Sequence, residues 1–160
     1  MTTAKDIAKD SVVGLPPALR PLVLSRLESL LDRPENLAGQ INTAGSSQQA
    51  VQALARIVAC SDFIARVLSR EPGLLQTFCG PSGVEQPRHP GELTAIVQEI
   101  GRRIVHRAEL AAELRRLRQR EVARIGWRDL AGWATLEEVV ATLSELADAI
   151  IEIALACAHR

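Results

Sequence analysis

Leu114–Gly132, LRRLRQREVARIGWRDLAG, sets six arginines on helical turns that also carry an apolar stripe. Leu114, Leu117, Val122, Ile125 and Leu130 recur at helical spacing, so one face enters a core. Arg115, Arg116, Arg118, Arg120, Arg124 and Arg128 are expected to point outward from it. Something acidic has to answer those charges: a nucleic acid, a nucleotide, or the protein's own next helix. The surrounding sequence supplies one answer. Arg102–Arg128 holds nine arginines against Glu109, Glu113 and Glu121, whereas Asp129–His159 holds six acids and neither lysine nor arginine. Two such helices neutralise one another if they pack antiparallel, and a basic helix beside an acidic one repels the phosphate backbone it would have to attract. Nucleic acid is therefore not the expected partner.

The 160 residues suffice for one domain, and 47% hydrophobic with 24% charged residues describes a globular chain. Four aromatic residues among abundant alanine and leucine favour helices over strands. The expected fold is all-α, a single orthogonal or antiparallel helical bundle of about five to seven helices. Cys60, Cys79 and Cys157 are odd in number and in no paired spacing, as expected of reduced thiols. Lys5 and Lys9 open the chain without the apolar run of a signal peptide, and no apolar stretch reaches the roughly 20 residues that cross a bilayer. The expectation is a cytoplasmic protein with no membrane partner.

Residues 1–16 read as a loosely ordered segment and residues 17–160 as a helical domain, its two sub-bundles joined by the proline- and glycine-rich 79–91 loop. A first helix over Pro17–Arg33 carries Leu22, Leu24, Leu27, Leu30 and Leu31 as its apolar face. A break at Arg33–Pro34 and a polar run through Ser47 precede a second helix over Gln48–Ala59, with Ser46 or Ser47 as its cap. Ser61 or Asp62 starts a third helix that ends near Glu71–Pro72, and a short helix runs through Leu74, Leu75 and Phe78. After the loop, Leu93, Ile96, Val97, Ile100 and Ile104 mark a helix from Glu92, with a bend near His106 or Glu109 before the arginine helix. That helix ends between Gly126 and Gly132. Thr135-Leu-Glu-Glu138 has the form of a capping box and opens a final helix running to Cys157.

Catalytic equipment is sparse. Cys157 and His159 lie one residue apart, on different faces of a helix, unlike a zinc pair. His106 has no visible partner for acid-base work, Glu137 and Glu138 are accounted for by helix capping, and Trp127 and Trp133 read as packing at a helix junction. No glycine-rich phosphate loop occurs. No catalytic, cofactor-binding or metal residue is assigned.

The arginine segment, followed by LEEVVATLSELADAII, resembles the helical region of the glutamine synthetase adenylyltransferase family, also called glutamate-ammonia-ligase adenylyltransferase. In that family an LRxFRxREMxRIxxRDLxG pattern precedes a helix containing LSxLADA. Leu114, Arg115, Arg118, Arg120, Glu121, Arg124, Ile125, Arg128, Asp129, Leu130 and Gly132 fit the first part, and Leu143, Ser144, Leu146, Ala147, Asp148 and Ala149 the second. Ser61–Leu75, SDFIARVLSREPGLL, is similar to the family's serine-aromatic helix and Pro-x-x-Leu turn, so the likeness spans about Leu54 to Ala156. Leu117 stands where the family usually has Phe and Val122 where it has Met; both changes stay apolar.

The resemblance implies a multifunctional nucleotidyltransferase of nitrogen metabolism that adenylylates glutamine synthetase and removes the AMP by phosphorolysis, the REV and WRD residues matching the removing half. Magnesium and ATP or ADP are implied for the parent enzyme. Its implied partners are glutamine synthetase, the following nucleotidyltransferase domain and a nitrogen-status signal protein. The chain stops before the family's GxGKxGG segment, so it is expected to be the amino-terminal, non-catalytic helical part and not to turn over alone. Arg115, Arg118, Arg120, Glu121, Arg124, Arg128 and Asp129 are the candidate contacts to that domain. The alternative is a stand-alone helical protein-interaction module.

Overall fold

A computed structural model of the chain describes residues 4–32, 48–71, 73–81 and 83–158. These residues form eight helices and, among themselves, no strand, so the all-α expectation holds: α1 Ala4–Ser11, α2 Arg20–Leu31, α3 Gln48–Cys60, α4 Asp62–Arg70, α5 Leu74–Cys79, α6 Glu92–Arg103, α7 Arg107–Ala131 and α8 Leu136–Ala158. The expected break at Arg33–Pro34, the caps at Ser46 or Ser47, Pro72 and His159 lie outside the described residues. The chain divides into two compact units, one of residues 1–86 with 126–133 and the other of residues 87–125 with 134–160.

In the first unit, α1 occupies residues expected to be loosely ordered. A helix of eight residues is marginal by itself, and packing against α2 and α3 supplies what local propensity does not. Val12 is buried just beyond its end, and Arg20 stitches the following turn by donating from Nε to the Leu15 carbonyl at 2.9 Å and from Nη2 to that of Val13 at 3.0 Å. Val23, Leu27, Leu30 and Leu31 form the buried face of α2. They meet Leu54, Ile57 and Val58 of α3 and Ile64, Val67 and Leu68 of α4 in a common core. Ser61 starts α4 as expected, its Oγ accepting from the Ile64 amide at 3.2 Å. The first turn of α3 is served from far away: the Ala50 amide donates to Glu85 Oε1 at 3.1 Å. Trp127, fully buried, meets Phe78 edge-on, with ring centroids 5.7 Å apart and planes at 82°.

The second unit is built from α6, residues 107–125 of α7, and α8. Val97, Ile100 and Ile104 pack with Leu110, Leu114, Leu117 and Ala149 in its core. The expected bend is a break: Ile104 is extended, and α7 begins at Arg107 with the Leu110 amide donating to the His106 carbonyl at 2.9 Å. Where α6 lies along α8, Gly101 lets Ile153 come close; a Cβ there would fall 2.3 Å from Ile153 Cδ1. Glu145 of α8 caps the start of α6, accepting from the Gly91 amide at 3.2 Å and the Thr94 amide at 3.1 Å. At the other end of α8, Arg107 Nη2 donates to the Cys157 carbonyl at 2.8 Å. At the expected capping box, Thr135 Oγ1 accepts from the Glu138 amide at 3.2 Å. The neighbouring Glu137 is held below the ordinary carboxylate range by its own amide and by the Thr135 hydroxyl.

Burial separates the thiols. Cys79 is buried and its pKa is pushed up to about 12, first by desolvation and then by the Glu85 charge, whereas Cys60 is exposed. At pH 8, iodoacetamide is expected to alkylate Cys60 in the folded chain and Cys79 only after denaturant is added. Peptide mass mapping checks this, and equal labelling of the two in the folded protein would contradict it.

Candidate functional site

Three charged residues lie on the buried face of α7. Glu121, Arg124 and Arg128 are each only 5% exposed, so the expectation that all six arginines point outward is corrected at two of them. Register explains the correction. Residues 114, 117, 121, 124 and 128 follow one another at spacings of three and four, so Glu121, Arg124 and Arg128 continue the apolar row begun by Leu114 and Leu117. Arg115, Arg116, Arg118, Arg120 and Asp129 are exposed.

Within the second unit, Glu121 is answered by Arg88, from the loop ahead of α6. The guanidinium grips the carboxylate as a fork, Nε to Oε2 at 3.1 Å and Nη2 to Oε1 at 2.6 Å. Its remaining nitrogen, Nη1, pairs with Glu92 Oε1, while Glu92 Oε2 accepts from the His89 amide at 3.0 Å. Burial opposes the Arg88 charge, but the bonds to Glu121 and then Glu92 outweigh it and raise its pKa. For Glu92 burial likewise works against ionisation. The His89 amide, Arg88 and the Arg124 charge together hold its carboxyl below the ordinary value.

Within the first unit, Arg128 serves the end of its own helix. Nη1 donates to the Val84 carbonyl at 3.0 Å and to that of Glu85, and Nη2 to that of Trp133 at 3.2 Å. The helix closes where expected: Gly132 adopts φ 75°, its amide donates to the Asp129 carbonyl at 3.0 Å, and the Trp133 amide to that of Arg128 at 2.9 Å. That pattern is a Schellman closure, which needs the left-handed conformation glycine adopts without strain. Arg128 and Trp133 thus hold each other twice, once through backbone and once through the side chain.

The acids of α8 were expected to answer the arginine helix. Of these acids, Glu145 is committed to the start of α6, while Arg88 answers Glu121 and Glu113 pairs with Arg116 at 2.6 Å on the same helix. Arg88 was missed because it stands in an aperiodic loop, 33 residues from its partner. One signal was available: an acid in the register of Leu114 and Leu117 requires a buried cation nearby. Among the described residues no three His, Cys, Asp or Glu side chains converge as metal ligands, and no helix is long and apolar enough to cross a membrane.

The family model of glutamate-ammonia ligase adenylyltransferase matches residues 51–160. Similar proteins include the bifunctional glutamine synthetase adenylyltransferase/adenylyl-removing enzymes of Thioalkalivibrio sulfidiphilus, 37% identical over 94% of this chain, and of Nitrosococcus oceani, 36% identical over 88%. The protein of that description from Pseudomonas aeruginosa is 39% identical over 66% of the chain and 11% of its own length. The chain spans about 15% of the length of the first two relatives. No solved structure matches it.

Two measurements test the Arg88 cluster. Arg88→Met strands the Glu121 carboxylate in the interior and is expected to cost about 3 kcal/mol in urea unfolding, most of it regained in Arg88→Met/Glu121→Met; a single variant as stable as the parent would refute the pairing. Glu92 has a depressed folded pKa, so the stability it contributes is complete above its unfolded value and disappears as pH falls through the folded one. Glu92→Gln is therefore expected to flatten the acid limb of the stability profile below about pH 5 and to leave its slope above pH 6 unchanged.

Proposed function

The chain belongs to the glutamate-ammonia ligase adenylyltransferase family, and from that premise we propose that it is a non-catalytic helical support within a bifunctional enzyme. In this reading the parent enzyme attaches AMP to glutamine synthetase and removes it, regulating nitrogen assimilation in the cytoplasm. One observation carries the supporting role. Two of the three charged residues of the family-like segment that enter the interior are bonded within the fold: Glu121 to Arg88, and Arg128 to three carbonyls. A catalytic carboxylate or guanidinium has to reach a substrate, and these do not.

Magnesium and ATP or ADP are assigned to the parent enzyme and not to these residues, because Glu92 and Glu121 are both held in ion pairs with Arg88 and offer no free carboxylate pair. The outward arginines Arg115, Arg118 and Arg120, with Asp129, are the surface offered to a nucleotidyltransferase domain of the same protein. An apolar face supports such a contact: Leu136, Val140, Leu143, Ile151 and Leu155 of α8 are all exposed. Glutamine synthetase is the substrate protein, and a nitrogen-status signal protein acts on the parent enzyme.

The 160-residue chain incubated with AMP-modified glutamine synthetase, phosphate and magnesium is expected to release no ADP. Release above the protein-free control would overturn the non-catalytic reading. In a polypeptide that also carries the nucleotidyltransferase domain, replacing Arg115, Arg118 and Arg120 by alanine is expected to lower AMP removal at least about tenfold with helicity unchanged. Full activity in that variant would remove these arginines from the contact.

A further inference from the structure

The first unit contains a cleft of about 420 Å³ between α2 and α4 that the family reading leaves unused. Leu30 and Ala65, both buried, are its apolar lining. Ser25, Arg26 and Ser29 stand on the α2 side, and Asp62, Arg66 and Ser69 on the α4 side. The spacing of these residues turns one face of each helix toward the cleft.

Arg26 is held in position there. Its Nη1 lies 2.6 Å from Asp62 Oδ1 and donates to the Val58 carbonyl at 3.3 Å, which leaves Nε and Nη2 without partners among the described residues. Arg66 is exposed and has no hydrogen-bond or ion-pair partner among the described residues, and neither do the hydroxyls of Ser25 and Ser29. Ser69 Oγ donates to the Ala65 carbonyl at 2.8 Å. Two guanidinium groups therefore face the cleft against one carboxylate, with two uncommitted hydroxyl donors beside them. No aromatic side chain lines it, so nothing there would stack on a nucleobase.

We propose that this cleft binds a phosphoryl group, either free phosphate or the phosphate of a small metabolite. Guanidinium forks and hydroxyls match the oxygens of a phosphate, and the excess of one positive charge favours an anion. The volume falls in the range of roughly 300–1,000 Å³ common to small-molecule sites, which leaves room for a substituent on the phosphate. The inference goes beyond the AMP-transfer reading and does not rest on it.

The test is a ¹H–¹⁵N NMR titration of the whole chain with sodium phosphate and, separately, with glycerol 3-phosphate, at ionic strength held constant with sodium chloride. Saturable shifts are expected for the amides of residues 25–30 and 62–69. Arg66→Ala, an exposed change that leaves the remaining spectrum intact, is expected to weaken binding about tenfold, and Ser29→Ala about threefold. Tighter binding of glycerol 3-phosphate identifies the site as one for a phosphorylated metabolite; equal or weaker binding identifies it as one for free phosphate. Shifts that fail to saturate with either ligand, that chloride alone reproduces, or that persist with unchanged affinity in Arg66→Ala would overturn the proposal.

Discussion

A charge on the buried face of a helix must find its counter-charge or its acceptors within hydrogen-bonding distance, and that requirement organises both units of this protein. Unpaired, a buried carboxylate or guanidinium would cost several kcal/mol, comparable with the whole stability of a small domain. Glu121 meets the requirement through the Arg88 fork, which also takes in Glu92. Arg128 donates to carbonyls, and in doing so satisfies backbone acceptors that the loop at Val84 and Glu85 leaves outside any helix. The loop at Val84 and Glu85 is thereby fixed by side-chain bonds, though its own sequence contains only turn-forming signals.

Helix ends are closed by the same kind of contact. Glu85 accepts from the first turn of α3 and Glu145 from that of α6, while Arg107 donates to the last carbonyls of α8. Each places a charge of the sign that the helix dipole favours at that end, and each partner lies 35 or more residues away in the chain. Capping is commonly local, through a serine or threonine just ahead of the helix, as at Ser61 and Thr135. Here the long-range caps also tie together elements that short connections would leave free to splay.

The segment that identifies the family is therefore of two kinds along its length. Its outward arginines are solvated and offer a surface, whereas its inward charges are committed to the fold. A sequence motif dense in arginine invites a reading as a ligand site. Burial and bonding direct that reading elsewhere for Arg124, whose charge stabilises Glu92, and for Arg128, whose donors are spent on backbone. The cleft between α2 and α4 is the reverse case, an arrangement of arginine and serine that no motif announced.

Sequence alone determined the helical class, the extent of the long helices, the caps at Ser61 and Thr135 and the closure at Gly132, because each follows from periodicity or from the conformational preferences of residues a few positions apart. It also contained the register that places Glu121, Arg124 and Arg128 on the buried face, although their charge argued for solvent. Tertiary structure decided the rest. That α1 is helical depends on α2 and α3, that Glu121 is paired depends on Arg88 in an aperiodic loop, and that α3 and α6 are capped depends on Glu85 and Glu145. The physical reason is the same throughout: a counter-charge or a cap acts over about 3 Å of space, and residues that close can be separated by any length of chain.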